Sequence, residues 1–289
     1  MGKDSKNETR KKDIERVKQF RLLDDIFMKV VLKDNIEAVQ LIVRIVLGRD
    51  DIEVIEVKTQ EELTNLYGHS VRLDVLARDS TGKLFNLEIQ RDANGAGEKR
   101  ARYHLGTVDT LNLPAGSDYE QLNETYIIFI TEKDFFSQGL PIYTIERIIQ
   151  ETGETFNDGS HILYVNGAFV GENEIGKLMA DFREKDPKKM YYKPLADKVW
   201  YFKSTEGGLD SVCKIIEEVR NEGIQIGIEQ GIEQGIERGI EQGSMLARKQ
   251  MIEALLKFNT ETSLLNAEQF KGLQITQEEI IAARTRMKN

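Results

Sequence analysis

A single cysteine, Cys213, leaves no internal disulfide to form. Scaffolds built on bridges are thereby excluded, and the usage fits a reducing compartment such as the cytoplasm. Proline is also scarce, at 4 residues, while 40% of the chain is hydrophobic and 31% charged. That balance excludes collagen-like and proline-rich disordered chains and describes an ordinary globular protein. No apolar run approaches the roughly 20 residues that a membrane-spanning helix requires, and the basic stretch Met1 to Lys18 is followed by no apolar segment. Neither membrane insertion nor secretion is expected. Lys6 stands where N-terminal acylation calls for Ser or Thr. No G-x-x-x-x-G-K-S/T phosphate loop is present, so no nucleotide cofactor is expected. The three histidines, His69, His104 and His161, show no metal-ligand spacing with one another or with Cys213, and zinc is not expected.

Positive charge is in deficit as well: 40 Lys and Arg against 49 Asp and Glu give a net −9. A general electrostatic attraction to nucleic acid is excluded, and any such contact needs a local basic patch. The acid is uneven, because Asn221 to Gly243 holds five Glu and one Arg. The bulk figure therefore says little about the rest of the chain.

What is present is a chain of 289 residues, enough for one large domain or one domain with an appendage. Residues 1–19 are rich in charge and poor in apolar groups, as in a solvated leader. Helical spacing of apolar residues runs from Leu22 to Leu32 and again from Ile36 through Val46. Asp34 with Glu37 resembles a capping box, and the second helix is expected to end near Gly48. The period then changes to short runs rich in β-branched and aromatic residues at Ile52 to Val57, Val71 to Ala77, Leu84 to Gln90 and Tyr126 to Thr131. A helix over Glu98 to Leu113 separates the third from the fourth. The order α, β, β, β, α, β predicts an α/β fold, a mixed β-sheet flanked by helices. An edge-strand pattern at His161 to Val165, a helix near Ile175 to Phe182 and an aromatic segment Tyr191 to Phe202 complete a domain placed at 20–220.

From Gly223 the chain repeats with period four, glycine at 223, 227, 231, 235, 239 and 243 and isoleucine at 224, 228, 232, 236 and 240. A helix turning every 3.6 residues lets these stripes drift by about 40° per repeat, and each interior Gly costs about 1 kcal/mol against Ala. The 221–243 segment is therefore either a self-association surface covered by a second copy or a spacer. It leads to a C-terminal helical tail, 244–289, with helices expected at Met245 to Phe258 and Gln277 to Met287.

The chemistry concentrates in the hairpin 71–90. Alternation places Leu73, Val75, Phe85, Leu87 and Ile89 on one face and Arg72, Asp74, Asn86, Glu88 and Gln90 on the other. Asp79-Ser80-Thr81-Gly82-Lys83 suits a three-residue loop with Gly82 left-handed. In that register Asp79 faces Lys83, so Asp74 stands opposite Glu88 and Arg72 opposite Gln90. Opposed carboxylates repel, so something positive belongs between them. Mg²⁺, which accepts one or two protein carboxylates and keeps several waters, is one answer; a solvent-facing edge hairpin balanced by Arg72 is the other.

These residues resemble the PD-(D/E)XK nuclease superfamily, in particular its transposase-associated, recombination-promoting branch. The likeness is carried by Leu23-Asp24-Asp25-Ile26-Phe27-Met28-Lys29, Arg72-Leu73-Asp74-Val75, Leu87-Glu88-Ile89-Gln90, Arg100-Ala101-Arg102-Tyr103 and Tyr126-Ile127-Ile128-Phe129-Ile130-Thr131. Gly139-Leu140-Pro141-Ile142-Tyr143, Asp181-Phe182-Arg183 and the Gly-rich tail are similar to that branch too. The resemblance implies a restriction-endonuclease-like core and a metal-dependent DNA endonuclease, with Mg²⁺ or Mn²⁺ held by Asp74, Glu88 and the Ile89 carbonyl. Gln90 falls where the superfamily motif has Lys, and this branch commonly has Gln. A glutamine can orient water or phosphate but adds no charge. Lys99, Arg100 and Arg102 are the candidate DNA contacts and sources of the missing charge, and Asp25 or Glu37 the candidate third acid. The competing reading is a catalytically silent nuclease fold that binds DNA or protein. In either case a homo-oligomer, a dimer formed through the tail, is expected.

Overall fold

A computed structural model describes residues 3–63, 71–91, 93–266 and 268–288. Two compact units divide the chain at residues 217 and 218.

In the first unit, helix α1 (Lys3–Gln19) occupies the segment whose composition suggests a solvated leader. Its anchoring explains the difference: Val17 is buried and Arg10 pairs with Asp210. Helices α2 (Asp25–Leu32) and α3 (Ile36–Leu47) follow, both with strongly one-sided apolar faces. Asn35, not Asp34, caps α3 by accepting from Ala38 N, while Asp34 takes a left-handed φ of 52° in the preceding turn. The capping box expected at Asp34 and Glu37 is therefore not formed. Gly48 closes the helix in the left-handed conformation, as its position predicts.

The sheet contains β1 (Val54–Leu63), β2 (Val71–Asp79), β3 (Leu84–Gln90), β4 (Thr125–Thr131), β5 (Ile142–Ile145) and β6 (Ser160–Asn166). Their order is β1-β2-β3-β4-β6-β5. β1, β2 and β3 are antiparallel neighbours; β3, β4 and β6 run parallel; β5 returns antiparallel on β6. A parallel β3–β4 pair requires a crossover, and α4 (Glu98–Asn112) supplies it. The mixed sheet flanked by helices agrees with the expected α/β class. β6 is not an edge strand, because the short, half-exposed β5 covers it; only four residues long, β5 gives little periodicity to detect.

Both faces of the sheet are covered. On one, Val75, Ala77, Phe85, Leu87, Ile89, Ile128 and Ile130 pack with α2, α3, α5 (Glu174–Arg183) and α6 (Lys193–Ser204). On the other, Leu84, Ile127, Phe129 and Tyr164 pack with Ala101, Leu105 and Val108 of α4. This double burial makes β3 and β4 almost continuously inaccessible and accounts for the unbroken apolar run in β4. Asp181 in α5 is fully buried and accepts from the backbone N–H groups of Tyr191 and Tyr192, which pins the aromatic segment to the core.

Helix α7 (Glu206–Leu256) is continuous through the repeat, where separate elements are expected. Ile224, Ile228, Ile232, Ile236 and Ile240 are all more than half exposed, and a Cβ at any glycine from Gly223 to Gly243 would meet open space. In the second unit, α8 (Glu261–Asn266) and α9 (Gln277–Lys288) gather a small core of Ile252, Leu264, Ile275, Ile280 and Ala283, beside an Arg248–Glu279 ion pair. No helix among the described residues is long and apolar enough to cross a membrane.

Candidate active site

The hairpin register expected from the Asp79–Lys83 loop is the one observed. Gly82 is left-handed at φ 93°, Asp79 N donates to Lys83 O, and Arg78–Leu84, Ala77–Phe85, Leu76–Asn86 and Val75–Leu87 are paired. Beyond Val75–Leu87 the pairing of β2 with β3 stops, while β2 continues to Val71 beside β1. The two strands fork where the carboxylates stand, near the carboxyl end of β3, the usual place for a site in a sheet with parallel strands.

Side chains replace the ladder inside the fork. Asp74 N donates to Glu88 Oε1 at 3.2 Å, and Ile89 N donates to Asp74 Oδ2 at 3.3 Å. In an extended strand the N–H and C=O of one residue point to the same side, so the Ile89 carbonyl faces the fork too. Released from the ladder, β2 also departs from strict alternation. Leu73 packs with the α4 cluster, whereas Asp74 reaches α2 and Val75 lies in the α2–α3 cluster. The shared face expected for Leu73 and Val75, and the solvated polar face, are thereby corrected. Asn86 and Glu88 are fully buried under α4, and only Arg72 of that set points into solvent.

Burial sets the electrostatics. The Asp74 carboxyl is pushed up to about 7, first by desolvation and then by the Glu88 charge, against the attraction of Lys29. Lys29 Nζ lies 2.8 Å from Asp74 Oδ1 and 2.8 Å from Asp25 Oδ1. Burial pulls the Lys29 ammonium down, but Asp74 and Asp25 outweigh it, so it titrates above its ordinary value. The positive group that opposed carboxylates demand is thus present, on a helix outside the hairpin.

Glu88 Oε1 also accepts from Asn86 Nδ2 at 3.1 Å and lies 3.5 Å from His104 Nδ1. Arg100 Nε donates to His104 Nε2 at 3.3 Å. Asn86 Nδ2 lies 3.4 Å from His104 Nδ1, so both ring nitrogens face donors and the ring is packed between Arg100 and the Asn86–Glu88 pair. Glu88 Oε2 is buried without a hydrogen-bond partner, its nearest cation being Arg100 Nη2 at 4.0 Å. An unpartnered oxygen on a buried carboxylate is costly, and a bound cation is one way to satisfy it. The donor set thus fits a divalent cation held by Asp74, Glu88 and the Ile89 carbonyl. Among the described residues no group of three or more His, Cys, Asp or Glu converges as a metal site. Of the two candidate third acids, Asp25 shares the Lys29 ammonium with Asp74 and its charge helps to raise the Asp74 carboxyl, whereas Glu37 is exposed on the first turn of α3.

Gln90 is half-buried at the end of β3, its amide lying against Gly95, where an added Cβ would collide with Gln90 Oε1. Tyr164 OH holds that turn by donating to Ala96 O at 2.7 Å. On α4, Lys99, Arg100 and Arg102 are all exposed, and Arg100 alone of the three reaches the buried carboxylate cluster. His104 is buried, His161 lies away between Glu124 and Glu146, and His69 falls outside the described residues. Helix α2 is fixed by a charged clamp: Arg21 and Arg91 both pair with Glu132, and Arg91 also with Asp24. Asp24 occupies the N-cap position of α2 but spends its carboxylate on this clamp and on Arg21 N, not on the helix.

A family model described as PD-(D/E)XK nuclease family transposase matches residues 26–174, just over half of the chain. The chain belongs to this family. No curated protein and no solved structure matches it. Membership supports a nuclease-type function, and PD-(D/E)XK nucleases typically use a divalent metal. Asp74, Glu88, Ile89, Gln90 and the α4 cations all lie within the matched span of this PD-(D/E)XK protein, and the repeat helix lies outside it. Three site residues are given no catalytic role by the sequence, although each has a signal there: Lys29 closes the first family-like stretch, Asn86 shares the polar face of the hairpin with Glu88, and His104 reads as a partly buried helix histidine.

Proposed function

We propose that the protein is a metal-dependent DNA endonuclease that hydrolyses phosphodiester bonds in recombination or mobile-element chemistry. The observation that carries this reading is the fork itself, where two buried carboxylates and a backbone carbonyl converge and Glu88 Oε2 is left unsatisfied. Asp74, Glu88 and the Ile89 carbonyl hold Mg²⁺, for which Mn²⁺ substitutes. When bound, the cation supplies positive charge at the phosphate and acidifies water. Asn86 and His104 converge on Oε1 and hold the Glu88 carboxylate in place. Gln90, constrained against Gly95, orients the attacking water or a phosphate oxygen by hydrogen bonding. Lys99, Arg100 and Arg102 contact the DNA backbone, and Arg100 ties that contact to the metal ligand through His104. Cutting two strands requires two sites, which a dimer formed along the exposed isoleucine stripe of α7 provides.

Gln90 favours a second reading, a silent nuclease fold retained as a DNA-binding or protein-interaction module, because it lacks the motif's charge. Cleavage of supercoiled plasmid with Mg²⁺, Mn²⁺ or EDTA separates the two, with Asp74→Ala beside the wild type to exclude a contaminant. Metal-dependent cutting that disappears in the variant is the expected result. Absence of cutting with every metal transfers the weight to the binding module.

A further inference from the structure

We infer that Lys29 is a catalytic residue, delivering from helix α2 the positive charge at the reacting phosphate that Gln90 does not carry. The inference rests on the nuclease reading and concerns the same site. Its starting point is a juxtaposition: the Lys29 ammonium sits 2.8 Å from Asp74 Oδ1, beside one of the two carboxylates assigned to the cation. A phosphate drawn to a cation held by Asp74 is thereby brought next to Nζ.

Three further observations separate this from an incidental ion pair. First, Lys29 is held in place. Asp25, one helical turn back, grips the ammonium at 2.8 Å, and the Lys29 side chain is only 15% exposed. Phe27 and Met28 are fully buried, and Asp24 ties the start of α2 to Arg91 at the end of β3. Second, no other cation among the described residues is paired with Asp74: two nearby arginines are held in the Glu132 clamp and the third stands on the Glu88 side of the fork. Arg21 and Arg91 are bound to Asp24 and Glu132, and Arg100 donates to His104 and remains 4.0 Å from Glu88 Oε2. Third, Gln90 is confined against Gly95 and brings no charge into the fork. An ammonium at a fixed point beside the reacting phosphate favours the extra negative charge of the transition state without reorganising. In the step itself a water oxygen bonds to phosphorus and the bond to the departing ester oxygen breaks with its electron pair. One water proton goes to solvent, and the departing oxygen takes one from solvent. Lys29 keeps its proton and loses no atom.

The rival is that Lys29 only neutralises buried Asp74. Moving the charge distinguishes them. Single-turnover cleavage is measured for wild type, Lys29→Met, Lys29→Gln and the double variant Lys29→Met with Gln90→Lys, while Ca²⁺ binding is followed by calorimetry and folding by thermal melting. The inference predicts a cleavage loss of about 10²- to 10³-fold in both single variants. It also predicts recovery of at least about tenfold in the double variant, whose lysine returns the charge from β3. Ca²⁺ affinity stays within about threefold or tightens, because a neighbouring cation has been removed. Cleavage within about threefold of wild type in the single variants overturns the inference and leaves the nuclease reading standing. So does a loss of Ca²⁺ affinity beyond about tenfold that accompanies the cleavage loss without rescue, since that is the behaviour of a strut for Asp74. A wild type that binds Ca²⁺ but never cuts removes both.

Discussion

Replacing Asp74 with asparagine should stabilise the metal-free protein while destroying the site. Asp74 is 6% exposed, and its carboxyl rises from 3.8 to about 7 because burial and then the Glu88 charge disfavour its ionised form. A folded-state value above the unfolded one means that the native protein holds the proton more tightly. Its contribution to stability is complete below about pH 4 and is lost as the pH climbs through about 7. A change of that size corresponds to at most about 4 kcal/mol. Losing the charged contact with Lys29 offsets part of this gain, so ~2 kcal/mol is the working figure for the replacement. In a domain of this size 1 kcal/mol moves the melting point by about 2–4 °C. In EDTA at about pH 8, Asp74→Asn should therefore melt some 4–8 °C above wild type, and near pH 4 the two should coincide. Lys29 keeps Asp25 as its partner, and the asparagine oxygen can still accept from Ile89 N, which limits collateral loss. Adding Mg²⁺ should reverse the order, because binding at about 100 times Kd contributes about 2.7 kcal/mol to the wild type alone. Scanning calorimetry across pH, with and without metal, reads both effects. An Asp74→Asn protein that melts below wild type at pH 8 in EDTA, with the same pH slope, would refute the account of a strained carboxylate fork.

Other consequences follow from individual contacts. Gly95→Ala puts a Cβ into Gln90 Oε1 and should lower single-turnover cleavage by about tenfold or more through displacement of Gln90. Ca²⁺ affinity should hold in that variant, and unchanged cleavage would remove Gln90 from the chemistry. Asp181→Ala leaves the buried N–H groups of Tyr191 and Tyr192 without their acceptor and should cost about 2–4 kcal/mol in denaturant melts, with metal affinity of the folded fraction unaltered. Truncation at Glu222 should convert a dimer into a monomer by light scattering; an unchanged mass would take the α7 repeat out of the account of assembly.

Much of the hairpin was legible because its determinants are local. A loop of fixed length with Gly82 at its left-handed position sets the register as far as Val75–Leu87, and Asp74 meets Glu88 one step beyond, where the strands fork. The Gly48 helix stop and the apolar runs of β3 and β4 are local in the same sense. The structure departs from local expectation where neighbours in space outweigh neighbours in sequence. Asn35 rather than Asp34 capped α3, Leu73 turned to the α4 side of the fork, and β6 lay inside the sheet because four residues of β5 pair with it. The solvated leader became α1 through Val17 and the Arg10–Asp210 pair, contacts that no window of composition contains.

The division of labour at the site has the same cause. By itself, the sequence determined the carboxylate pair and their opposition across a turn, since these depend on spacing within one hairpin; Gln90 in place of a motif lysine follows from the family resemblance. Tertiary structure alone decided how the pair is satisfied. Lys29 arrives from a helix that precedes the sheet, His104 and Arg100 from the crossover that follows β3, and Gly95 from the turn between them. A charge's partner is chosen by distance in space and by exclusion of water, and neither can be read from separation along the chain.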